Sequence, residues 1–533
     1  MTETFRRILE KRGIADAEGF LHPSLSALAD VSRLSRADEA ADAILAAVSA
    51  GRRIVVFGDY DCDGICATAI LVRTLAALGA NVSPFLPNRM TEGYGMSEAS
   101  VSRMLAENPD VSLVVTVDNG INSVAETQWL RERGVETVVT DHHLPGGELP
   151  GGVVVNPHAE PPGVFLDLCG AAVAFMIANA TVTKAKEKGL YGGASIAGPL
   201  LVLAGLATVT DIMPLTGQNR IIVAEALRLF GRCAPVGLRQ LAVQAGRPAA
   251  FRPVAKDFGF LMGPRINAAG RMSDGLDALA LLLDDDPVRT AALAARVDSY
   301  NDMRKSVETE MTEQALGQVV DGAPAQVIDL PQGHPGVAGI VASRILERLE
   351  PSAPVCVVAG GHGSARSPAW LNIREAFEAC SECLTAFGGH AAAGGFSVRE
   401  GMMDEFRRRL CEYCGGRRPE WVEDEGEEAD LDVSPEELTL ELVDDLKLLE
   451  PCGEGNPEAR FRFVRPRISG VRRLGQDGRH LSLLLNGMRA VWWNRGDLAP
   501  SLGPTAKSAV FTIESSDFGG PHVELRLKSL LPI

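Results

Sequence analysis

The feature that most constrains the fold is a regular alternation of apolar, strand-like runs with helical patterns over residues 53–156. Strands that alternate with helices of this length form a parallel sheet with helices on both faces. Such strands are buried on both sides and therefore read as nearly continuous apolar runs. The predicted strands are RIVVFG (53–58), NVSPFLP (81–87), VSLVVTV (111–117), VETVVT (135–140) and GGVVVN (151–156).

The rest of the chain predicts further domains, since 533 residues are too many for one core. A long charged helical pattern follows residue 286, and a second α/β unit begins near AQVIDL (325–330). The acidic run EDEGEEAD (423–430) is typical of a solvated linker, and evenly spaced β-like runs after it predict a small barrel. The predicted units are a helical segment (1–50), an α/β domain (51–286), a connecting helix (287–322), a second α/β domain (323–422) and a barrel (423–533).

Composition narrows the possible partners. The formal net charge of −17 argues against a general affinity for nucleic acid, although a local basic groove remains possible and carboxylates for a cation are plentiful. No apolar run is long enough to cross a membrane, and the start MTETFRRILEKRG has no apolar signal core. We therefore expect a cytoplasmic protein with no membrane partner and mostly free thiols.

Two CxxC pairs leave an alternative open. Cys380 and Cys383, with Cys411 and Cys414, could form a four-thiolate zinc site. Both pairs lie in segments with a helical pattern, where cysteines three residues apart are also ordinary small core residues. We favour the core interpretation.

Acidic residues and histidines follow three of the predicted strands. In an open parallel sheet, ligands bind beyond the carboxyl ends of the strands, so these side chains should converge on one edge. Alternate residues of an extended chain point the same way, which predicts that the first three carboxylates face one side. The residues are Asp59, Asp61 and Asp63 after the first strand, Asp118 after the third, and Asp141, His142 and His143 after the fourth.

Such a cluster predicts a metal site. Several carboxylates within a few ångströms repel one another unless a cation neutralises them. A mixed oxygen and nitrogen ligand set suits Mn²⁺ or Mg²⁺, and two such ions about 3.5–4 Å apart could activate a water and stabilise a leaving phosphate oxygen. Each Asp alone could instead be a helix N-cap or a turn residue.

The motifs DYDCDG (59–64), VDNG (117–120) and DHH (141–143), in this order, resemble the DHH phosphoesterase superfamily. Later segments resemble its RecJ family of exonucleases, and the resemblance covers nearly the whole chain. These segments are GPRINAAGRM (263–272), HPGVAGIVASRI (334–345), GSARSP (363–368), FGGHAAAGGFS (387–397) and LEPCGEGNPEARF (449–461). Gly333, Cys62 and Cys452 depart from the family pattern, and none is a proposed metal ligand.

The resemblance implies roles for the acidic and histidine residues. Asp141 would support the His pair, and His143 would contact the scissile phosphate and assist proton transfer. Asp211 is included because TDIMPL (210–215) resembles the family's fourth acidic motif, although it could be a helix cap. The implied metal ligands are Asp61, Asp63, Asp118, His142 and Asp211, with Asp59 beside them.

The resemblance also implies substrate contacts. Arg forks match phosphate geometry, and glycines let backbone N–H groups approach phosphate oxygens. These contacts also have structural alternatives. The glycines and His390 could simply form a hairpin turn, each arginine could be a solvated surface residue, and the tryptophan could belong to the barrel core. The implied contacts are Arg89, Arg271, Ser364 and Arg366, the glycine-rich Gly388, Gly389, His390, Gly394 and Gly395, and Arg472, Arg473 and Trp492 in an OB-like barrel.

The implied fold is α/β: a DHH lobe and a DHHA1-like lobe joined by a long helix, followed by the OB-like barrel. The implied function is two-metal, 5′→3′ hydrolysis of single-stranded DNA to 5′-mononucleotides, in DNA repair and recombination. Single-stranded DNA with a 5′ end, a single-strand-binding protein and a helicase are the implied partners. The alternatives are a DHH phosphodiesterase acting on short oligonucleotides or cyclic dinucleotides, an inorganic pyrophosphatase, and a non-catalytic replication scaffold.

Overall fold

A computed structural model of the chain describes residues 1–93, 95–159, 163–349, 353–417, 428–517 and 520–531. The helices are α1 (Glu3–Lys11), α2 (Ala17–Leu21), α3 (Ala37–Ser49), α4 (Cys62–Ala77), α5 (Glu98–Glu107), α6 (Val124–Glu132), α7 (Gly170–Glu187), α8 (Ala197–Thr210), α9 (Gly217–Cys233), α10 (Val236–Gln244), α11 (Ala255–Asp257), α12 (Gly263–Met272), α13 (Leu276–Leu283), α14 (Pro287–Leu316), α15 (Pro335–Arg348), α16 (Ile373–Ala379), α17 (Met403–Gly415) and α18 (Leu440–Leu446). The strands are β1 (Arg53–Phe57), β2 (Asn81–Phe85), β3 (Val111–Val117), β4 (Glu136–Thr140), β5 (Val153–Val155), β6 (Gln326–Leu330), β7 (Val355–Ala359), β8 (His362–Arg366), β9 (Leu384–Gly389), β10 (Ala393–Val398), β11 (Leu431–Asp432), β12 (Phe461–Val464), β13 (Ile468–Leu474), β14 (His480–Leu485), β15 (Met488–Trp492), β16 (Ser508–Ser516) and β17 (His522–Leu531).

The first lobe is built on the predicted parallel sheet, with strand order β2-β1-β3-β4-β5. All five predicted strands are confirmed, and β1 and β3 are almost fully buried, as their unbroken apolar runs require. Helices α4, α7 and α8 pack against one another in the same large core. Because β1, β3 and β4 are neighbours, their carboxyl ends meet at the middle of one sheet edge.

The second lobe is a mixed five-stranded sheet, with order β6-β7-β8-β10-β9. The predicted long helix is confirmed as α14, which begins at Pro287 behind an Asp286 N-cap and ends at Leu316, six residues before the predicted boundary. On the first lobe α14 packs against α10, α12 and α13, and on the second lobe it packs against α15. One rigid element therefore sets the position of the two lobes.

The C-terminal domain is OB-like, with strand order β11-β12-β16-β17-β15-β14-β13. The predicted OB-like domain is confirmed, although its sheet is not closed into a complete barrel, because no ladder joins the edge strands β11 and β13 in the described part of this sheet. Even spacing of strand-like runs in the sequence predicts a small β domain but does not show whether its first and last strands pair. Phe5 and Ile8 of α1 lie in the core of this domain, so the first helix of the chain packs on its last domain.

The two CxxC pairs differ in local structure. Cys411 and Cys414 lie on α17 as predicted, but the helical prediction is wrong for Cys380 and Cys383, because α16 ends at Ala379. Three of these thiols are fully buried and the fourth packs on the same core. The absence of zinc stays a prediction.

Two further expectations meet the structure only in part. Residues 423–427 of the predicted linker 423–430 lie outside the described part of the chain. Among the helices that the structure describes, none is long and apolar enough to span a membrane.

Candidate metal centre

Backbone hydrogen bonds hold the carboxylates at the sheet edge. Asp118 N donates to Thr140 O (3.0 Å) and Asp141 N to Val155 O (3.1 Å), which extends the parallel ladders one residue past the strands. Asp118 has a φ of 61°, a left-handed conformation that is unfavourable for a residue with a Cβ. Such strain is typical of functional sites, where the surrounding structure stabilises it.

Asp61 and Asp63 converge on the site for a different reason from the predicted one. The backbone is extended at Asp61, with φ −92° and ψ −177°, but α4 begins at Cys62, so Asp63 lies on the first turn of a helix. Asp61 is the N-cap of α4 and accepts a hydrogen bond from Gly64 N (3.0 Å), so the capping alternative is correct for this residue. The Asp63 carboxylate accepts from Gly170 N (2.7 Å) and Ala171 N (2.8 Å) at the start of α7. Both carboxylates stabilise a helix end and belong to the cluster.

His142 lies at the centre of the cluster. Its Nε2 is 3.2 Å from Asp118 Oδ1, 3.6 Å from Asp211 Oδ2 and 3.8 Å from Asp63 Oδ2. Asp211 follows the last residue of α8, so it too ends a helix. Three overlapping sets bring ligand atoms within 4.8 Å of one another: Asp59, Asp61 and Asp118; Asp63, His142 and Asp211; and Asp118, His142 and His143.

The electrostatics of the cluster fit divalent cations. Burial, and then neighbouring carboxylates, raise the pKa of Asp59 and Asp118 well above the usual range, and raise that of Asp211 to about 9. Asp59 Oδ1 is buried and has no hydrogen-bond partner among the described residues. A Cβ on Gly170 would lie 2.5 Å from Asp118 Cβ, so only glycine leaves room for this carboxylate. Oxygen and imidazole donors suit Mn²⁺ or Mg²⁺, and the predicted divalent-cation cofactors are confirmed.

The surroundings shift the pKa values of the two histidines in opposite directions. Burial lowers the pKa of His142, which keeps its imidazole neutral and able to bind a metal. Burial is the largest single effect on His143 and disfavours its charge, but the 2.7 Å hydrogen bond with Asp141 and the charges of Asp141, Asp211 and Asp63 together raise its pKa to about 9. Asp141 also accepts from the backbone N of His142, His143 and Ile121. Asp141 therefore orients the His143 ring next to the metal ligands and favours its protonated form.

A cavity of about 470 Å³ lies between the lobes, and Arg89 and Ser364 line it. Burial, and then the charge of Arg89, lower the pKa of Arg271 to about 10. The same two causes lower the pKa of Arg366. Arg271 Nη1 donates to the carbonyl oxygen of Gly336 (2.9 Å), and Gly336 lines this space, which we call the arginine cavity. Tyr60, between Asp59 and Asp61 in sequence, forms part of the wall, so the cavity is next to the metal centre.

The glycine-rich segment is a hairpin of β9 and β10, with Gly389 opposite Gly394 and Gly388 opposite Gly395. The turn alternative is correct, since His390 N donates to Ala393 O across the turn (2.8 Å). The hairpin also faces the metal centre: His390, Gly389, Asp141 and His143 line one cavity of about 810 Å³. Gly388 and Gly395 line the arginine cavity on the other side.

The choice of Trp492 as an exposed aromatic platform is wrong. Its side chain is 8% exposed and belongs to the domain core, whereas Trp493 is 52% exposed. The Trp493 ring lies against His480 (4.6 Å between centroids) and below the Arg526 guanidinium (5.5 Å). Arg472 and Arg473 are exposed on β13. Neighbours on a strand point to opposite faces, so the sequence indicated that one tryptophan is buried but not which.

Two apolar side chains next to Asp211 escaped sequence reasoning. Ile212 is 70% exposed and Phe260, on the π-helical turn Phe258–Met262, is 78% exposed. Both line a cavity of about 540 Å³ that also borders the C-terminal domain. In the sequence these residues look like core residues, and no local signal separates them from their buried neighbours.

Comparison with known proteins agrees with the resemblance. Models of the DHH family N-terminal domain, the DHHA1 domain and the RecJ OB domain match residues 53–202, 322–416 and 429–529. The single-stranded-DNA-specific exonuclease RecJ of Escherichia coli is 35% identical over 500 residues, which cover 88% of this chain and 85% of that protein. The chain belongs to the RecJ family.

Other RecJ proteins are similar over comparable lengths. RecJ of Thermus thermophilus is 42% identical over 465 residues, and the match covers 86% of this chain but only 66% of that longer protein. The crystal structure of Thermus thermophilus RecJ with Mn²⁺ superposes with a TM-score of 0.85 at 36% identity, covering 99% of this chain and 76% of that one. A second structure, with Mg²⁺, gives a TM-score of 0.81 at 34% identity, covering 99% of this chain and 74% of that one.

Proposed function

We propose that this RecJ family member hydrolyses single-stranded DNA from the 5′ end and releases 5′-mononucleotides. The observation that carries the proposal is that Tyr60, which lines the cavity beside Arg89, lies in the chain directly between Asp59 and Asp61 of the carboxylate cluster. A strand with its terminal phosphate in the cavity would have a phosphodiester near the cluster. The printed names of the relatives, single-stranded-DNA-specific exonucleases, support the substrate, and the family resemblance supports the polarity.

In this proposal, Asp61, Asp63, Asp118, His142 and Asp211 hold two divalent cations, with Asp59 beside them. Bound cations polarise the phosphoryl group and lower the pKa of a water nucleophile. The remaining chemistry belongs to the protein. Protonated His143 donates to the scissile phosphate, where charge develops, and Asp141 keeps its ring in place.

The substrate contacts are also proposals. Arg89, Arg271, Ser364 and Arg366 bind the 5′-phosphate, because guanidinium forks match its oxygens. His390 and the backbone of Gly388, Gly389, Gly394 and Gly395 contact the next nucleotides. Trp493, in place of Trp492, stacks on a base in the part of the DNA strand that is farther from the 5′ end. Arg472 and Arg473 contact phosphates in the same part of the strand.

The cellular setting is proposed from the family alone. A cytoplasmic location, a role in repair and recombination, and association with a single-strand-binding protein and a helicase fit a RecJ enzyme. We also propose the domain boundaries 1–50, 51–286, 287–322, 323–422 and 423–533.

An end-labelling experiment tests the function. Single strands labelled at the 5′ or the 3′ end are digested with Mn²⁺ or Mg²⁺, and early products are separated by size. We expect a 5′ label to appear at once as a mononucleotide, while a 3′ label stays on gradually shortening strands. The reverse order would refute the polarity, and hydrolysis of only very short oligonucleotides or cyclic dinucleotides would favour a DHH phosphodiesterase. No hydrolysis by a folded protein would favour a scaffold.

A further inference from the structure

The turn that carries Asp211 is strained. Helix α8 ends at Thr210, and Ile212, directly after Asp211, has a φ of 57°. A β-branched residue in this left-handed region is a conformational outlier that persists only where other contacts hold it. What holds this turn therefore also determines where the Asp211 carboxylate lies.

A tight loop of the C-terminal domain, residues 448–456, packs on this turn. Leu215 N donates to Glu454 O at 2.7 Å, which fixes the backbone four residues after Asp211. A Cβ added to Gly453 would lie 2.8 Å from Leu215 Cδ1, and one added to Gly455 would lie 3.2 Å from Pro214 Cβ. The loop therefore packs closely on the turn, and a Cβ at either glycine would press on a side chain of the turn.

Arg220, near the start of α9 in the first lobe, binds loop 448–456 through hydrogen bonds. Its guanidinium donates to four consecutive carbonyl oxygens of the loop, those of residues 448–451, and to Phe20 O. The side chain is buried, and the Phe20 ring lies 3.7 Å from its guanidinium carbon. A single charged group thus ties the N-terminal segment, the catalytic lobe and the C-terminal domain together.

The neighbouring residue acts on the turn itself. Asn219 Nδ2 donates to Pro214 O (3.1 Å) and to Asp167 O (2.6 Å), so it holds the turn from inside the first lobe. On the loop side, Asn456 Nδ2 donates to Leu449 O and Pro451 O, both at 2.8 Å, which keeps the Arg220 acceptors in place. The strained turn is thus held from both sides.

We infer that Arg220 and loop 448–456 position Asp211 for metal binding, so that the C-terminal domain supports the metal centre as well as contacting DNA. This inference rests on the proposed role of Asp211 as a metal ligand. Arg220 touches neither metal ligand nor substrate, and it acts as a positioning residue through the loop and the turn. Displacing the loop should therefore weaken metal binding without unfolding either domain.

Two matched glycine variants of the full chain separate this role from general stability. Gly455→Ala adds a methyl group against Pro214, whereas Gly487→Ala, in the β14–β15 turn of the same domain, adds one with nothing within 4 Å. Both glycines have positive φ, 67° and 85°, so the backbone penalty is similar and both variants should have a lower Tm. Mn²⁺ affinity is measured without DNA, by calorimetric titration and by the electron paramagnetic resonance of free Mn²⁺.

We expect Gly455→Ala to raise the Kd of at least one Mn²⁺ about tenfold, the usual scale for groups that orient a metal ligand, and Gly487→Ala to change it less than twofold. Arg220→Lys, which cannot reach the same set of carbonyls, should behave like Gly455→Ala. Arg228→Lys, an exposed position on the same helix, is its control. Folding of each variant is verified by circular dichroism and Tm.

Asp211→Asn separates the inference from its premise. If Asp211→Asn leaves Mn²⁺ binding unchanged, Asp211 is not a ligand and both the premise and the inference fail. If Asp211→Asn weakens binding while folded Gly455→Ala and Arg220→Lys bind Mn²⁺ like the unaltered protein, only the positioning role is refuted. Equal weakening by Gly455→Ala and Gly487→Ala would also refute it, because the effect would then follow stability alone.

Discussion

Arg271→Gln tests the arginine cavity as the site for the 5′-phosphate. Burial, and then the neighbouring Arg89, lower the pKa of Arg271 from its ordinary value to about 10. This shift corresponds to about 3 kcal/mol against the charged side chain in the free protein. A bound phosphate would relieve that cost, and each charge-assisted hydrogen bond to it would contribute about 1.5–3 kcal/mol, or about 10- to 100-fold in affinity.

The assay compares KM for a single strand with a 5′-phosphate against the same strand with a 5′-hydroxyl. Arg271→Gln should raise KM about 10- to 100-fold for the phosphorylated strand and less than about threefold for the other. Loss of the Arg271 Nη1 bond to Gly336 O (2.9 Å) costs about 1 kcal/mol, which relief of the buried charge offsets, so Tm should not fall.

Arg265→Gln is a control on the same helix. It breaks an ion pair with Asp298 (2.8 Å) away from the cavity, so Tm should fall while the KM ratio for the two strands stays unchanged. If Arg271→Gln raised KM equally for the 5′-phosphorylated and the 5′-hydroxyl strand, a contact between Arg271 and the terminal phosphate would be refuted. A large fall in its Tm would instead indicate that Arg271 mainly ties the lobes together through Gly336.

The remaining predictions concern the metal centre and the C-terminal domain. Asp118→Asn should abolish hydrolysis in a Mn²⁺ assay without lowering Tm, because it removes a repelling charge; near-normal turnover would contradict its role as a ligand. His143→Ala should lower kcat by more than it raises KM in steady-state kinetics, since its proton acts on developing charge, and a change in KM alone would make it a binding residue. Trp493→Ala should weaken binding of long single strands, measured by fluorescence anisotropy, by about 1–3 kcal/mol with little change in Tm. Trp492→Ala should instead lower stability by about 3–5 kcal/mol in chemical denaturation, and the opposite pattern would restore Trp492 as the platform.

The parallel sheet could be predicted because strands buried on both faces have no polar alternation. Knowing that such strands are parallel is enough to bring Asp59, Asp118 and Asp141 to one edge, although they are far apart in sequence. The orientation of Asp63 could not be predicted, because it depends on Gly170 and Ala171, which lie more than a hundred residues away. Convergence on the sheet edge was predicted for the right reason, whereas the extended-chain reason does not apply to Asp63, because α4 begins at Cys62.

The C-terminal domain was harder to predict because its sheet has two unlike faces. Period-two alternation assigns Trp492 and Trp493 to opposite faces but does not say which face is the core. Pairing decides it: Trp492 lies opposite Leu481, which is fully buried. The packing of α1 on this domain was also hidden, since its partners, among them Asp430 for Arg12, lie more than four hundred residues later.

Capping and metal binding are compatible roles for the same carboxylate, although the sequence presents them as alternatives. Asp61 caps α4, Asp63 caps α7 and Asp211 ends α8, and all three lie in the cluster. A helix N-terminus stabilises a nearby carboxylate by its dipole, which offsets part of the repulsion among the acids before a cation binds. Asp211 is at a helix C-terminus, where the dipole is unfavourable for an anion, and burial raises its pKa to about 9. This carboxylate therefore depends most on contacts outside its own helix, and its turn is held by Asn219 of the first lobe on one side and by loop 448–456 of the C-terminal domain on the other.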